Sequence, residues 1–328
     1  MKFKGSKAVE FLLARGNLPV LYWLKKDILE VPADRERKNL KKFAERIRIL
    51  EAQLPEGGWE VKKYNNQEDK WAKTRMIVET LRNLLRLYLY GCTLEDAGIK
   101  KALEFLLATQ SEEGDFRGAY LNEYATTYHC LILEVLGLYG LDRDKRTQKG
   151  FEWLMKNRQT DGGWAIPYRT VDKEELRKRY TNPHHKNLPP LPPDKSKPSS
   201  HLVTGMALRA LALSPTWKTR PETKEAGRWL MGRFFKEDYY EDRQEASYWE
   251  EINYPYWATN IVSSLDALAR IGFSPEEPAI QEALAWLAKR QNKHGYWYAG
   301  LKKAGVEDHL WATFAVLKVL KMFNILEL

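Results

Sequence analysis

Several shortages in this chain each remove a class of protein. Two cysteines, Cys92 and Cys130, stand in 328 residues. They make no disulfide framework and lack zinc-finger spacing, so a reducing, cytoplasmic setting is expected. No apolar run approaches the roughly 20 residues that cross a bilayer. The basic start "MKFKGSKAVEFLLARGN" is interrupted by Glu10 and makes a poor leader peptide. Strand-like alternation of β-branched residues is almost absent, which argues against sheets. No P-loop, dinucleotide fingerprint or Gly-x-Ser-x-Gly elbow occurs. The net charge of +9 suits an anionic partner such as phosphate, nucleic acid or a membrane surface, so peripheral membrane contact stays open. Basic and acidic residues are nevertheless interleaved almost everywhere, as on a solvated surface. With no arginine-clustered, groove-reading helix, nucleic acid is not expected as a partner.

What is abundant is aromatic. Twelve tryptophans and seventeen tyrosines favour aromatic-lined packing or an aromatic-lined pocket. Apolar residues recur at helical spacing, and the chain repeats with a period of about 50 residues. Four helix endings carry a glutamine, a short polar turn with glycine, then an aromatic: "LEAQLPEGGWE" (Gln53, Trp59), "LATQSEEGDFRG" (Gln110, Phe116), "KNRQTDGGW" (Gln159, Trp164) and "AKRQNKHGYWY" (Gln291, Trp297). A further helix start follows each, a fifth follows a unit without the glutamine, and the five align on Thr74, Thr127, Thr204, Thr259 and Thr313. Thr127 to Gln159 and Thr259 to Gln291 are each 32 residues, and the same count from Thr204 reaches Lys236, so one unit keeps the frame without its glutamine. The glycine, Gly162 or its equivalent, is expected to take the left-handed conformation that stops the helix. The glutamine would bond freed backbone groups, and the aromatic would cover the turn.

Each unit is then a pair of helices, and helices apolar on several stripes must be covered on several sides. Two concentric rings satisfy this, with 71–90, 124–139, 201–213, 256–271 and 309–325 inside and the charged helices outside. The segment "AVEFLLARG" (Ala8–Gly16) matches "ALEFLLATQ" (Ala102–Gln110) but has no inner helix before it. The last inner helix has no outer helix after it. Joined, these ends complete a sixth pair, and "LPVLYWLKKDIL" (Leu18–Leu29) is the inner helix of the first. The expectation is an all-α, single-domain (α/α)6 toroid over 1–328, the N-terminal helix closing the ring against the C-terminal inner helix. A proline-rich insertion at 168–200 would lie over the mouth, as a lid or as a decorated loop holding His184 and His185.

The string Lys149-Gly150-Phe151-x-Trp153-Leu154…Gln159-x-x-Gly162-x-Trp164 resembles the QW repeat of the squalene/oxidosqualene cyclase and protein prenyltransferase superfamily. Within it the chain is most similar to the short, single-toroid, uncharacterised prokaryotic prenyltransferase/squalene oxidase repeat proteins. The resemblance implies an α/α toroid and an apolar ligand. The D-x-D-D acid of protonation-initiated cyclases is absent, and so is the Asp-x-Cys pair with which prenyltransferases hold zinc. No metal site is therefore expected, no cofactor is named, and whether the chain is an enzyme is left open. "EDHLWATFAVLKVL" lies on the family's histidine-bearing helix, which places His309 there.

Three residues before the aligned threonines stand Trp71, Tyr124, His201, Tyr256 and Leu310; four before stand Glu123 and His309. These offsets share the threonine's helical face. If that face looks inward, the mouth gathers rings, histidines and helix N-termini that favour anions, with Lys70, Lys73 and Arg75 beside them. The alternative is that the rings fill a narrow core and the threonines cap helices. On the inward arrangement, Asp308, His309 and His201 are the candidate catalytic residues. Trp71, Arg75, Tyr124, His129, Tyr256, Trp257, Asn260 and Trp311 would hold an isoprenoid, its diphosphate at the mouth and its cationic character shielded by rings. Two other functions stand beside this one. The first is a non-catalytic toroid that binds a lipid or a protein. The second is a carbohydrate-active α/α barrel with Glu134 and Asp266 as acid and base; such carboxylates more often pair with arginines, and Arg75, Arg82 and Arg86 are on the neighbouring helix. His129 and Cys130, being adjacent, point to different faces and read as buried ordinary residues.

Overall fold

Residues 2–61, 71–182 and 188–328 are described by a computed structural model, and helices dominate them. In chain order these are α1 (Ser6–Arg15), α2 (Leu18–Trp23) running on as a π-helical stretch (Leu24–Leu29), α3 (Asp34–Leu40), α4 (Ala44–Glu51), α5 (Ala72–Leu89) and α6 (Ala97–Leu107). Next come α7 (Thr126–Leu138), α8 (Lys145–Lys156), α9 (Pro167–Thr170), α10 (Lys173–Thr181), α11 (His201–Ala212) and α12 (Pro221–Met231). The last are α13 (Ile261–Ile271), α14 (Pro278–Arg290) and α15 (Val306–Met322), with short strands β1 (Phe3–Lys4), β2 (Ala119–Asn122) and β3 (Leu326–Glu327).

The inner ring closes. α2 packs on α5, α5 on α7, α7 on α11, α11 on α13 and α13 on α15, and α15 packs back on α2 and its π-helical extension. Every residue of α11 is buried, as an apolar helix walled on all sides must be. Outside it, α4 and α6 lie on α5, α8 on α7, and α12 on both α11 and α13. α1 sits on α15, so the N-terminal helix is the outer partner of the last inner one. The seam is tied by the parallel pair of β1 and β3. There Phe3 N donates to Ile325 O at 2.8 Å and Gly5 N to Glu327 O at 2.7 Å.

The repeated ending is a staple. Trp59, Trp164 and Trp297 each donate Nε1–H, at 2.7 Å, to the carbonyl ten residues earlier, in the outer helix just completed. Their backbone N–H groups go to a threonine hydroxyl on an inner helix: Thr80 at 3.3 Å, Thr204 at 3.0 Å and Thr313 at 3.2 Å. The glutamine amide spans two places. Gln53 Nε2 donates at 2.8 Å to both Gly57 O in its own turn and Gly98 O in α6. Gln110 does the same with Gly114 O and Arg146 O. In the unit lacking glutamine, Trp249 supplies the indole, donating to Lys236 O at 2.9 Å.

Three expectations are corrected. α8 ends at Lys156, six residues before Gly162, whose N–H bonds Gln159 O at 3.1 Å; the glycine closes the turn and does not stop the helix. Its φ of +102° is open to glycine and costly for side chains. The threonine frame slips in two units: the equivalents of Thr204 and Thr313 are Thr80, not Thr74, and His129, not Thr127. The inner helices predicted to start at 124 and 256 begin at Thr126 and Ile261. Asn260 sets the second start, its side chain accepting from Ser263 N at 2.9 Å in a reciprocal capping box.

Candidate functional site

The threonine face does not look into the lumen. It looks outward, at the staples, because the threonines are needed there as acceptors for tryptophan N–H groups. Candidates placed by their offset from the threonine follow it. His309 Nδ1 accepts from Ala299 N at 3.0 Å, with its ring edge-on to Tyr298 at 5.2 Å. Asp308 caps α15, accepting from Gly305 N at 2.8 Å. His201 is buried against Trp249 at 4.5 Å and lies 3.5 Å from Asp238; desolvation outweighs that carboxylate and lowers its pKa to about 4. The structure does not bring these three together. Tyr124 donates to Glu113 at 2.5 Å and packs on Trp153 in α8. His129 Nδ1 accepts from Phe116 N at 3.3 Å and its Nε2 bonds Gly150 O at 3.0 Å, in the role threonine has elsewhere. Trp311 is buried on Tyr254 and Phe314, both at 5.8 Å. Lys70, His184 and His185 lie outside the described residues.

The lumen-facing positions are set by helical geometry from the same register. Five residues on from Thr80, His129, Thr204 and Thr313 stand Leu85, Glu134, Arg209 and Lys318, and all four line one central pit. α13 adds Asp266 and Arg270 to it. Arg209 embraces Glu134 through Nε at 3.0 Å and Nη2 at 2.9 Å, and Arg270 Nε holds Asp266 at 2.7 Å. Burial pushes the Glu134 pKa up against the pull of Arg209. Burial would also raise Asp266, but Arg270 and Lys318 together hold it below its usual value. The expected carboxylate pair is therefore present, and its arginines are Arg209 and Arg270, not Arg75, Arg82 or Arg86. The segment Tyr254-Pro255-Tyr256 fills the ring's middle and leaves a pit of about 30 Å³, room for a water molecule.

On the other side of that segment, at the N-terminal ends of the inner helices, is a cavity of about 480 Å³. Tyr120, Tyr128, Tyr168 and Trp257 wall it, and Leu131, Met206, Ile166 and Leu202 supply apolar surface. Tyr120 stacks on Tyr168 at 5.4 Å, with Trp71 beside it at 5.5 Å. Arg82 covers the Trp257 ring at 5.1 Å. Arg169, whose Nε and Nη2 meet Asp242 at 2.6 and 3.0 Å, holds the rim. Of the sequence candidates Trp257 lines this cavity and Trp71 adjoins it, whereas Tyr256 lines the pit and Asn260 is a cap. Arg75 sits in the first turn of α5, half-buried. Tyr120, Tyr128, Tyr168 and Met206 were missed. Leu131 and Met206 share one offset, two residues past His129 and Thr204, and that was the available signal. Among the described residues no group of three His, Cys, Asp or Glu is placed to hold a metal ion.

The family model of the prenyltransferase alpha-alpha toroid domain matches residues 15–237 and 230–327. The chain belongs to that family. No curated protein matches it. Among solved structures, this toroid is similar to a variant of the type II terpene cyclase MstE from Scytonema in complex with geranylgeranyl dihydroxybenzoate, at 15% identity and a TM-score of 0.37, covering 88% of this chain and 99% of that one. It is also similar to a protein from Actinoplanes at 15% identity and a TM-score of 0.33, with the same coverage of 88% and 99%. A third is a glycosidase at 13% identity and a TM-score of 0.40, covering 98% of this chain and 87% of that one. At such identities and scores, the activities of those proteins remain theirs. No described helix of this toroid is long and apolar enough to cross a membrane.

Proposed function

We propose that this toroid binds an apolar, isoprenoid-like molecule at its N-terminal mouth, and that its work is binding. One observation carries this: four aromatic rings and a set of apolar side chains, with Asp242 and Arg243 beside them, line an open cavity of about 480 Å³ at the mouth. That is within the roughly 300–1,000 Å³ of small-molecule sites. The ring faces suit conjugated or branched hydrocarbon and, with Arg82 over Trp257, a polar or anionic head at the rim. Catalysis by Asp308, His309 and His201 is not part of the proposal, because each is engaged in the scaffold. The carbohydrate alternative is disfavoured for a physical reason: Glu134 and Asp266 are tied to arginines in a pit with no room for a sugar.

The insertion at 168–200 serves as the lid in this reading. It contributes Tyr168 to the wall, and Arg179 Nη2 and Leu191 N anchor it to Glu123 at 2.7 and 2.9 Å. Titration with farnesol and geranylgeraniol, followed by tryptophan fluorescence, tests the proposal. Saturable quenching is expected, lost in Trp257→Ala and in the cavity-filling Met206→Trp. Quenching that survives Met206→Trp in a folded protein, or no binding of either alcohol, would overturn it.

A further inference from the structure

The central pit has more hydrogen-bond donors than its own acceptors can use. Both carboxylates in its lining are already taken. Glu134 Oε1 and Oε2 accept from Arg209 at 3.0 and 2.9 Å, and Asp266 Oδ2 and Oδ1 accept from Arg270 at 2.7 and 3.4 Å. Arg209 Nη1 and the Tyr256 hydroxyl remain. Both are buried, in residues only 3% and 5% exposed, and neither has a hydrogen-bond partner among the described residues. Buried polar groups are rarely left so, because an unmade hydrogen bond is costly there.

Further donors stand beside these two. Lys318 is half-buried in the lining, its ammonium 5.8 Å from the centre of the Tyr254 ring and in no ion pair among the described residues. Tyr88 and Tyr254 add two phenols. Burial raises the pKa of all three tyrosines, Tyr88 to about 12, so each keeps its proton.

Charge agrees with this pattern without deciding it. The lining holds three cations and two carboxylates. Against that, Asp27 on the π-helical stretch acts on Tyr88 and Tyr254 from outside the lining. Arg209 and Arg270 also lie in the last turns of their helices, where the C-terminal carbonyls favour basic side chains. Hydrogen bonding decides. A water molecule would have to place its two protons on acceptors, whereas a monatomic anion needs donors alone. A pit of about 30 Å³ admits one such ion and is too small for phosphate or sulfate.

We propose that the pit binds a single halide ion, chloride in kind, held by Arg209 Nη1, the Tyr256 hydroxyl and Lys318. The ion would join α11, α15 and the Tyr254-Pro255-Tyr256 segment at the ring's centre. The pit shares no lining residue with the aromatic cavity, so this site stands or falls apart from the apolar guest proposed above.

Chloride NMR line broadening with bromide as competitor, together with anomalous diffraction from crystals grown in sodium bromide, tests it. Saturable broadening that bromide displaces is expected, with an anomalous peak in the pit. Tyr256→Phe, which keeps the ring and removes only an unbonded hydroxyl, should weaken the affinity about tenfold, and so should Lys318→Met. Lys302→Met, at an exposed lysine, should leave it unchanged. No anomalous peak in the pit overturns the proposal, for that assigns the place to water. Broadening indifferent to both Tyr256→Phe and Lys318→Met overturns it equally, for that assigns the ion to the basic surface.

Discussion

His129 shows how a single side chain reveals what a position requires. Its Nδ1 accepts a backbone N–H and its Nε2 bonds a carbonyl, which only the neutral Nε2–H ring can do. Burial lowers its pKa from 6.5 to about 3, partly offset by the Gly150 carbonyl. The unfolded chain takes up this proton below pH 6.5 and the folded chain does not until about 3. Stability from this residue is thus complete above pH 6.5 and is lost as the pH falls toward 3, at up to about 1.4 kcal/mol per pH unit. His201, lowered to about 4, adds a contribution of the same sign. Urea unfolding at pH 7 and pH 5 should show the loss, and His129→Thr should make it shallower. Glu134→Gln strands the Arg209 charge in a buried site and should cost about 3–5 kcal/mol, whereas replacing both partners with apolar residues should restore most of it. Both can be read from urea midpoints. The burial of His129 and an arginine partner for Glu134 were legible in the sequence; the particular partners were not. The histidine interrupts a threonine series by chemistry rather than by type, and Arg209, the partner of Glu134, comes from another helix.

Among elements, the staple was the most legible feature, because one backbone problem recurs with one solution. Gln53, Gln110 and Gln291 each bond the carbonyl of a turn glycine, and tryptophan covers the turn in three units. The frame of the inner helices was harder to read. A threonine near a helix start fits several registers, and only the tryptophan N–H it serves distinguishes Thr80 from Thr74. With the frame turned to the wrong face, the lining of the mouth could not be named, although the rings Trp257 and Trp71 were. Close approach predicts a sharp test. A Cβ on Gly57 would stand 2.3 Å from Lys101 O, at a φ of +102°. Gly57→Ala should therefore lower stability by at least about 2 kcal/mol in thermal or urea unfolding. Gln53→Ala, which frees two carbonyls, should cost about 1–2 kcal/mol in the same assay.

For the whole molecule, ring closure was read from two incomplete ends, and the structure joins them through α1 on α15 and the β1–β3 pair. Removing residues 324–328 takes away the acceptors of Phe3 N and Gly5 N. Two hydrogen bonds at about 1 kcal/mol each suggest a loss near 2 kcal/mol. The more telling sign is local: trypsin should cut early at Lys7 and Arg15 of the shortened chain, at sites the intact seam protects. What the repeat could not disclose was the content of the lumen, because the repeat starts a helix at Tyr256, whereas Tyr254-Pro255-Tyr256 belongs to the connection before α13, which begins at Ile261.

That intruding segment also determines traffic. With Tyr254-Pro255-Tyr256 in the ring's centre, the pit and the aromatic cavity have no lining residue in common. On the proposed function, a guest of the cavity would enter and leave by the mouth. Residence time would therefore be governed by the doorway and its cover, and a guest longer than the chamber would be held with its tail still outside.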